Sequence, residues 1–152
     1  MSFSGDDRKA LVTQLFEVRQ IIEPAIGGLT ARRASEDERE EIVGIAALDP
    51  GDLAAFREID RRFHALLASS CGNPMLTELH AKALASLFGS GELASLLYAE
   101  VNRAEVNEII ASSTDAHRAI ADAVAHGYAR KAEAAVVAHL DDVERRMVER
   151  LL

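Results

Sequence analysis

Five histidines punctuate this chain, His64, His80, His117, His126 and His139, and the first follows Asp60 by four residues. On a helix that spacing projects both side chains from one face. Phe56, Phe63 and Leu67 flank the pair, so the face is expected to look inward. A carboxylate and an imidazole taken out of water must pair with each other or bind a cation. The spacing alone leaves both readings open. His117, followed by Ile120 and Val124, falls on the inner side of its own segment, and His139 lies among small apolar residues in Ala-Ala-Val-Val-Ala-His-Leu. Three histidines and an aspartate on core faces can converge as one oxygen and three nitrogens. Such a set suits Zn²⁺, Ni²⁺, Mn²⁺ or Fe²⁺ and, in octahedral geometry, leaves positions for water or a ligand. His80 has no acidic partner at helical spacing, and His126 stands beside Gly127 at an expected helix end. Both have weaker claims on the set.

Arg19 is the second feature. It lies in Phe16-Glu17-Val18-Arg19, next to an apolar stripe. An interior guanidinium needs a carboxylate, from the protein or from a bound small acid. A surface guanidinium needs only Glu23, four residues on. Arg32, Arg33 and the mixed charges of residues 141–150 read as solvated helix faces. Patterns that carry catalysis are missing. No Glu-x-x-His precedes any of the histidines, and there is no His-Glu-x-x-His, no Gly-x-Ser-x-Gly and no phosphate-cradling glycine loop. Cys71 has no base beside it at helical spacing and reads as structural. As a lone cysteine it excludes an internal disulfide and fits a reducing cytoplasm.

The elements that must position these groups are helical. Leu11, Leu15, Val18, Ile22, Ile26 and Leu29 step by three or four, predicting a helix over about 7–34 with a kink or restart at Pro24. Ser35-Glu36-Asp37-Glu38 is a capping box for a second helix bearing Ile42, Ile45 and Leu48, which stops at Asp49-Pro50-Gly51-Asp52. Asp52 caps a third helix, with Leu53, Phe56, Phe63, Leu66 and Leu67 as its core face and Gly72 as its end. Asn73 and Pro74 start a fourth, carrying Met75, Leu76, Leu79, Leu84 and Leu87. Residues 92–110 read as helical without clear boundaries. Further helices are expected over 114–125 and from 129 to the C-terminus, separated at Gly127.

Composition agrees. The 152 residues include few aromatics and no Trp, while alanine, the best helix former, recurs throughout. The expected fold is all-α, a single helical bundle over residues 1–152. With 17 Lys+Arg against 25 Asp+Glu the net charge is −8, which argues against these residues gripping a nucleic-acid backbone. There is no uncharged apolar run of about 18 residues, and the start lacks a signal-peptide core. A cytoplasmic protein without membrane contact is the expectation.

In order along the chain stand Glu17-Val18-Arg19…Ile22-Glu23-Pro24, Ala31-Arg32-Arg33-Ala34, Asp60-x-x-Phe63-His64-x-Leu66, Gly72-Asn73-Pro74, His117-Arg118-Ala119-Ile120 and His139-Leu140. This succession resembles the FCD domain, the C-terminal effector domain of the FadR subgroup of GntR-type transcriptional regulators. The resemblance spans about residues 15–140, with no matching motif over 92–110. It implies an antiparallel bundle of six or seven helices around a small-molecule pocket. In the metal-binding branch of that family the corresponding residues hold a divalent cation, here Asp60, His64, His117 and His139. The arginine of Glu-Val-Arg faces the ligand, here Arg19. The resemblance implies a small organic acid as ligand, such as a hydroxy acid, a sugar acid or a dicarboxylate, and a homodimer. Family members also carry a winged helix-turn-helix ahead of this domain. Nothing in these residues is patterned for one, so DNA contact is expected only through a domain outside this chain. Tyr128 stands where the family usually has an aspartate capping the last helix.

The resemblance implies a ligand-sensing domain that binds a small carboxylate through a divalent metal and Arg19. A metal-dependent hydrolase or lyase using the same four ligands is the alternative. It requires a further acid or base near the site, and no candidate is evident in the core-facing sequence. A helical interaction module with a merely structural polar core is a third reading.

Overall fold

Ser4 and Asp7 open the first helix by a reciprocal cap: the Asp7 N–H donates to the Ser4 hydroxyl, and the Ser4 N–H donates to the Asp7 carboxylate. The computed structural model describes residues 4–152, and these form seven α-helices and no strand. Helix α1 (Gly5–Arg33) passes through Pro24 without the expected restart. Its contacts with α3, α4, α6 and α7 hold it together where proline removes one internal hydrogen bond. The face it buries also differs from the one its hydropathy suggests. Val12, Phe16, Arg19, Glu23, Ile26 and Thr30 point inward, whereas Val18 is 46% exposed. Arg19 and Glu23 neutralise each other and thereby occupy core positions that an apolar pattern does not reveal.

Helices α2 (Glu36–Ala46), α3 (Leu53–Ser69) and α4 (Pro74–Phe88) begin at the expected caps Ser35, Asp52 and Asn73. Leu48 falls beyond the end of α2 and is exposed, not core. Met75 and Leu79 are likewise exposed, because α4 turns His80 and Leu84 inward toward its neighbours. Gly72 joins α3 to α4 at φ +73°, a left-handed conformation that glycine adopts without strain. The ill-defined stretch of sequence resolves into α5 (Gly91–Tyr98), a 3₁₀ turn (Glu100–Asn102) and the start of α6 (Arg103–Ala125). The helix expected only from residue 114 is therefore a single longer one. Gly127, at φ +72°, leads into α7 (Ala129–Arg146), which ends in a π-turn (Met147–Leu151).

Helix α7 lies antiparallel to α1, since Gln20 meets Asp141 while Gly27 meets Val136. It runs antiparallel to α6 as well, where Ser112 meets Asp142 and Glu105 meets Arg150. Phe16, Phe63, Ile42, Ile120 and Leu140 fill the core these helices enclose. Among the described residues no helix is long and apolar enough to cross a membrane.

Candidate metal centre

Four side chains from three helices meet inside this core. Asp60 and His64 come from α3, His117 from α6 and His139 from α7, and one donor atom from each lies within 4.8 Å of all the others. The three imidazoles are buried, while Asp60 keeps 18% of its side chain accessible. The rings brace one another: His64 stacks on His139 at 5.5 Å, His117 stands edge-on to both, and Phe63 stacks on His117 at 4.4 Å. The histidines are thus held by aromatic contact as well as by their helices.

Two buried nitrogens are conspicuous. Nε2 of His64 and Nε2 of His117 lie 3.2 Å and 3.1 Å from the same oxygen, Asp60 Oδ1. Neither is aligned for a hydrogen bond, and both remain without a partner. A buried polar atom left unpaired costs about 1–3 kcal/mol. Two of them beside a carboxylate and a third imidazole are what a cation would satisfy. The donor set, one oxygen and three nitrogens, fits a divalent transition metal.

Behind the four lies a second layer that sequence reasoning missed. Oε1 of Glu23 is 2.8 Å from His64 Nδ1 and 3.1 Å from His80 Nε2, while Arg19 bonds the same carboxylate through Nε. His80, without an acidic partner on its own helix, therefore finds one on α1. Burial pushes Glu23 up, but Arg19, then His64 and His80, more than reverse this and hold it well below its ordinary range. Asp60 is likewise pushed up by burial and held low by His117 and His64. His64, discouraged from charging by burial but flanked by Glu23 and Asp60, is raised to about 9. Burial lowers His117 and, with His117 and His64 nearby, His139 more strongly. The signal for Glu23 was its helical phase with Val12, Phe16 and Ile26, once the buried face of α1 is known.

Arg19 itself is buried, so the two sequence readings merge: it pairs with Glu23, and does so inside the protein. It also lines a cavity together with Asp60, Ser113 and His139. The cavity offers about 60 Å³ of free space; Arg57 is the other charged residue on its wall, and the rest, including Phe16, Phe56 and Ile109, is apolar. His126, by contrast, is exposed at the end of α6, its Nδ1 2.8 Å from the Asp122 carbonyl, far from this chemistry in role. Cys71 is buried, with its Sγ 3.9 Å from the Thr77 hydroxyl.

This arrangement meets its relatives in sequence comparison. Residues 14–142 match the FCD domain. The chain belongs to the FCD domain family. The FCD domain here is 30% identical over 141 residues to the HTH-type transcriptional regulator LutR of Bacillus subtilis (strain 168), covering 90% of this chain and 62% of that protein. It is 28% identical over 142 residues to the galactonate operon transcriptional repressor of Escherichia coli (strain K12), covering 91% and 58%. Among solved structures it resembles Streptococcus agalactiae GntR, with a TM-score of 0.70 and 28% identity over 91% of this chain and 60% of the other. The chain thus spans about three fifths of the length of these relatives. The all-helical bundle expected from the sequence is borne out, both by the helices themselves and by this likeness.

Proposed function

We propose that this FCD domain is the sensing part of a GntR-family transcriptional regulator and binds a small organic acid at Asp60, His64, His117, His139 and Arg19. The observation that carries the reading is the pair of buried, partnerless Nε2 atoms on His64 and His117, gathered within 3.2 Å of Asp60 Oδ1. These four side chains would hold a divalent transition metal. When bound there, such an ion supplies a positive centre with open positions for a carboxylate. The protein's own residues do the rest. Glu23 fixes the His64 ring, the aromatic stack holds His117, and Arg19 presents its remaining N–H groups to the cavity. Ligand binding would favour one packing of α1, α3, α6 and α7 over another, and so bias a DNA-binding segment outside this chain.

The relatives' names, regulators rather than enzymes, support sensing over hydrolysis or elimination. So does the cavity, whose lining among the described residues includes no carboxylate besides Asp60 to act as a base. Dimerisation and a cytoplasmic setting belong to the same reading. Metal analysis of the purified protein tests it, with thermal shift of small carboxylic acids in the presence and absence of divalent metal. One equivalent of metal is expected, lost in His117→Ala and His139→Ala, and acids should raise the midpoint only with metal present. Full metal occupancy in both variants would overturn the ligand assignment.

A further inference from the structure

One cation on the cavity wall has no part in the site so far. Arg57 stands on α3 three residues before Asp60 and seven before His64, so all three project from one helix face. It lines the same cavity as Arg19, Asp60 and His139. Its guanidinium lies over the rings of Phe88 and Tyr98, at 5.8 Å and 5.9 Å from their centroids. Its Nη2 donates to the Phe88 carbonyl at 3.3 Å. Glu58, its neighbour in sequence, is taken by Arg61 at 2.6 Å. Among the described residues Arg57 has no carboxylate partner.

The contrast with Arg19 is chemical. The charge of Arg19 is matched by Glu23 within the core, whereas the charge of Arg57 is held in place by two aromatic faces and one carbonyl and is matched by nothing. Aromatic faces orient a guanidinium without neutralising it, which leaves its N–H fork available to an anion. Around the cavity two guanidiniums and two carboxylates, Glu23 and Asp60, cancel. A divalent ion at the four ligands then leaves two positive charges for a ligand to balance. A monocarboxylate balances one of them.

We propose that Arg57 is a specificity-determining residue that selects a short-chain dicarboxylate, taking the second carboxylate while the first is held at the Asp60 and histidine cluster with Arg19. The free space of about 60 Å³, far below the roughly 300 Å³ of a drug-sized site, keeps the carbon chain short. The inference rests on the proposed carboxylate-sensing site and sharpens its ligand class.

Titration calorimetry on the metal-loaded protein decides it, using succinate against butyrate and glutarate against valerate. Each pair differs only by the second carboxylate. The wild type should prefer the dicarboxylate roughly tenfold or more, as expected for a hydrogen-bonded contact to a charged group. Arg57→Gln should shrink that ratio to within about threefold, and Arg57→Lys, which keeps charge but not the fork, should fall between. Arg61→Gln, altering the neighbouring exposed ion pair, should keep the wild-type ratio. Metal content and melting temperature are measured for every variant. If Arg57→Gln fails to fold, the wild-type ratio and Arg57→Lys still decide. Equal affinity for both members of each pair in the wild type, or a preference that survives Arg57→Gln, overturns the inference and leaves metal-dependent carboxylate sensing standing. Metal-loaded protein that binds none of the four acids overturns both.

Discussion

Glu23 sets the direction in which His64 presents its lone pair. A hydrogen bond from His64 Nδ1–H, over 2.8 Å, commits that nitrogen to Glu23 and leaves Nε2, on the side of Asp60, His117 and His139, as the nitrogen that would give up its proton to a metal. The same carboxylate holds Arg19 and His80, so one buried anion orders three neighbours. Glu23→Gln keeps the volume but removes the charge. Metal affinity should fall about 10–100-fold, read by competition with a chelator. Stability should fall by about 3 kcal/mol, read by urea unfolding, because Arg19 is left buried without its counter-charge. Unchanged metal affinity would remove Glu23 from any positioning role. The four inner groups were legible because each announces itself locally, Asp60 and His64 by their spacing, His117 and His139 by apolar flanks. Glu23 and His80 were not, since they stand 57 residues apart and nothing on either helix signals the other. Only the packing of α1 against α4 joins them.

At the scale of elements, the starts of α2, α3 and α4 were readable because a cap is a contract among residues three apart. The burial phase of α1 and the continuity of α6 depend on partners far along the chain, so local pattern misplaced them. Two consequences follow for α7. Its first residue is preceded by Tyr128, which makes no side-chain cap. Tyr128→Asp should supply one and favour the helix dipole, adding about 1 kcal/mol and raising the melting temperature by roughly 2–4 °C. The contact of α7 with α1 gives a sharper contrast. A Cβ at Gly27 would sit 3.0 Å from Val136 Cγ2 in the core, whereas one at Gly28 would meet the Glu133 side chain, which is 40% exposed and can swing away. Gly27→Ala should therefore destabilise by about 1–3 kcal/mol through overpacking. Gly28→Ala should be neutral or gain up to about 1 kcal/mol from helix propensity. Chemical denaturation of the two variants side by side distinguishes them, and equal losses would mean the helices cannot part at Glu133.

On the scale of the whole molecule, the cluster ties α3, α6 and α7 to one point, and through Glu23 it reaches α1 and α4. An ion held there links elements distant in the chain, and its effect on folding depends on pH with a sign that can be worked out. In the metal-free protein His64 lies between Glu23 and Asp60 and is raised to about 9, so at neutral pH it is an imidazolium facing both carboxylates, with Arg19 as the further counter-charge of Glu23. A group whose folded pKa is raised stabilises fully below its ordinary value near 6.5 and loses that contribution as pH climbs through about 9. His117 and His139, lowered mainly by burial, stay neutral and ready to donate lone pairs. Metal-loaded protein needs His64 deprotonated at Nε2 as well, so metal uptake near pH 7.5 should release about one proton. Calorimetry in buffers of different ionisation enthalpy measures that release. The gap in melting temperature between metal-loaded and metal-free protein should widen from about pH 6 to pH 8, because protons compete less for His64 as pH rises. A gap that stays constant over this range, with no proton released, would mean that His64 is not a ligand and that its place between the two carboxylates is purely structural.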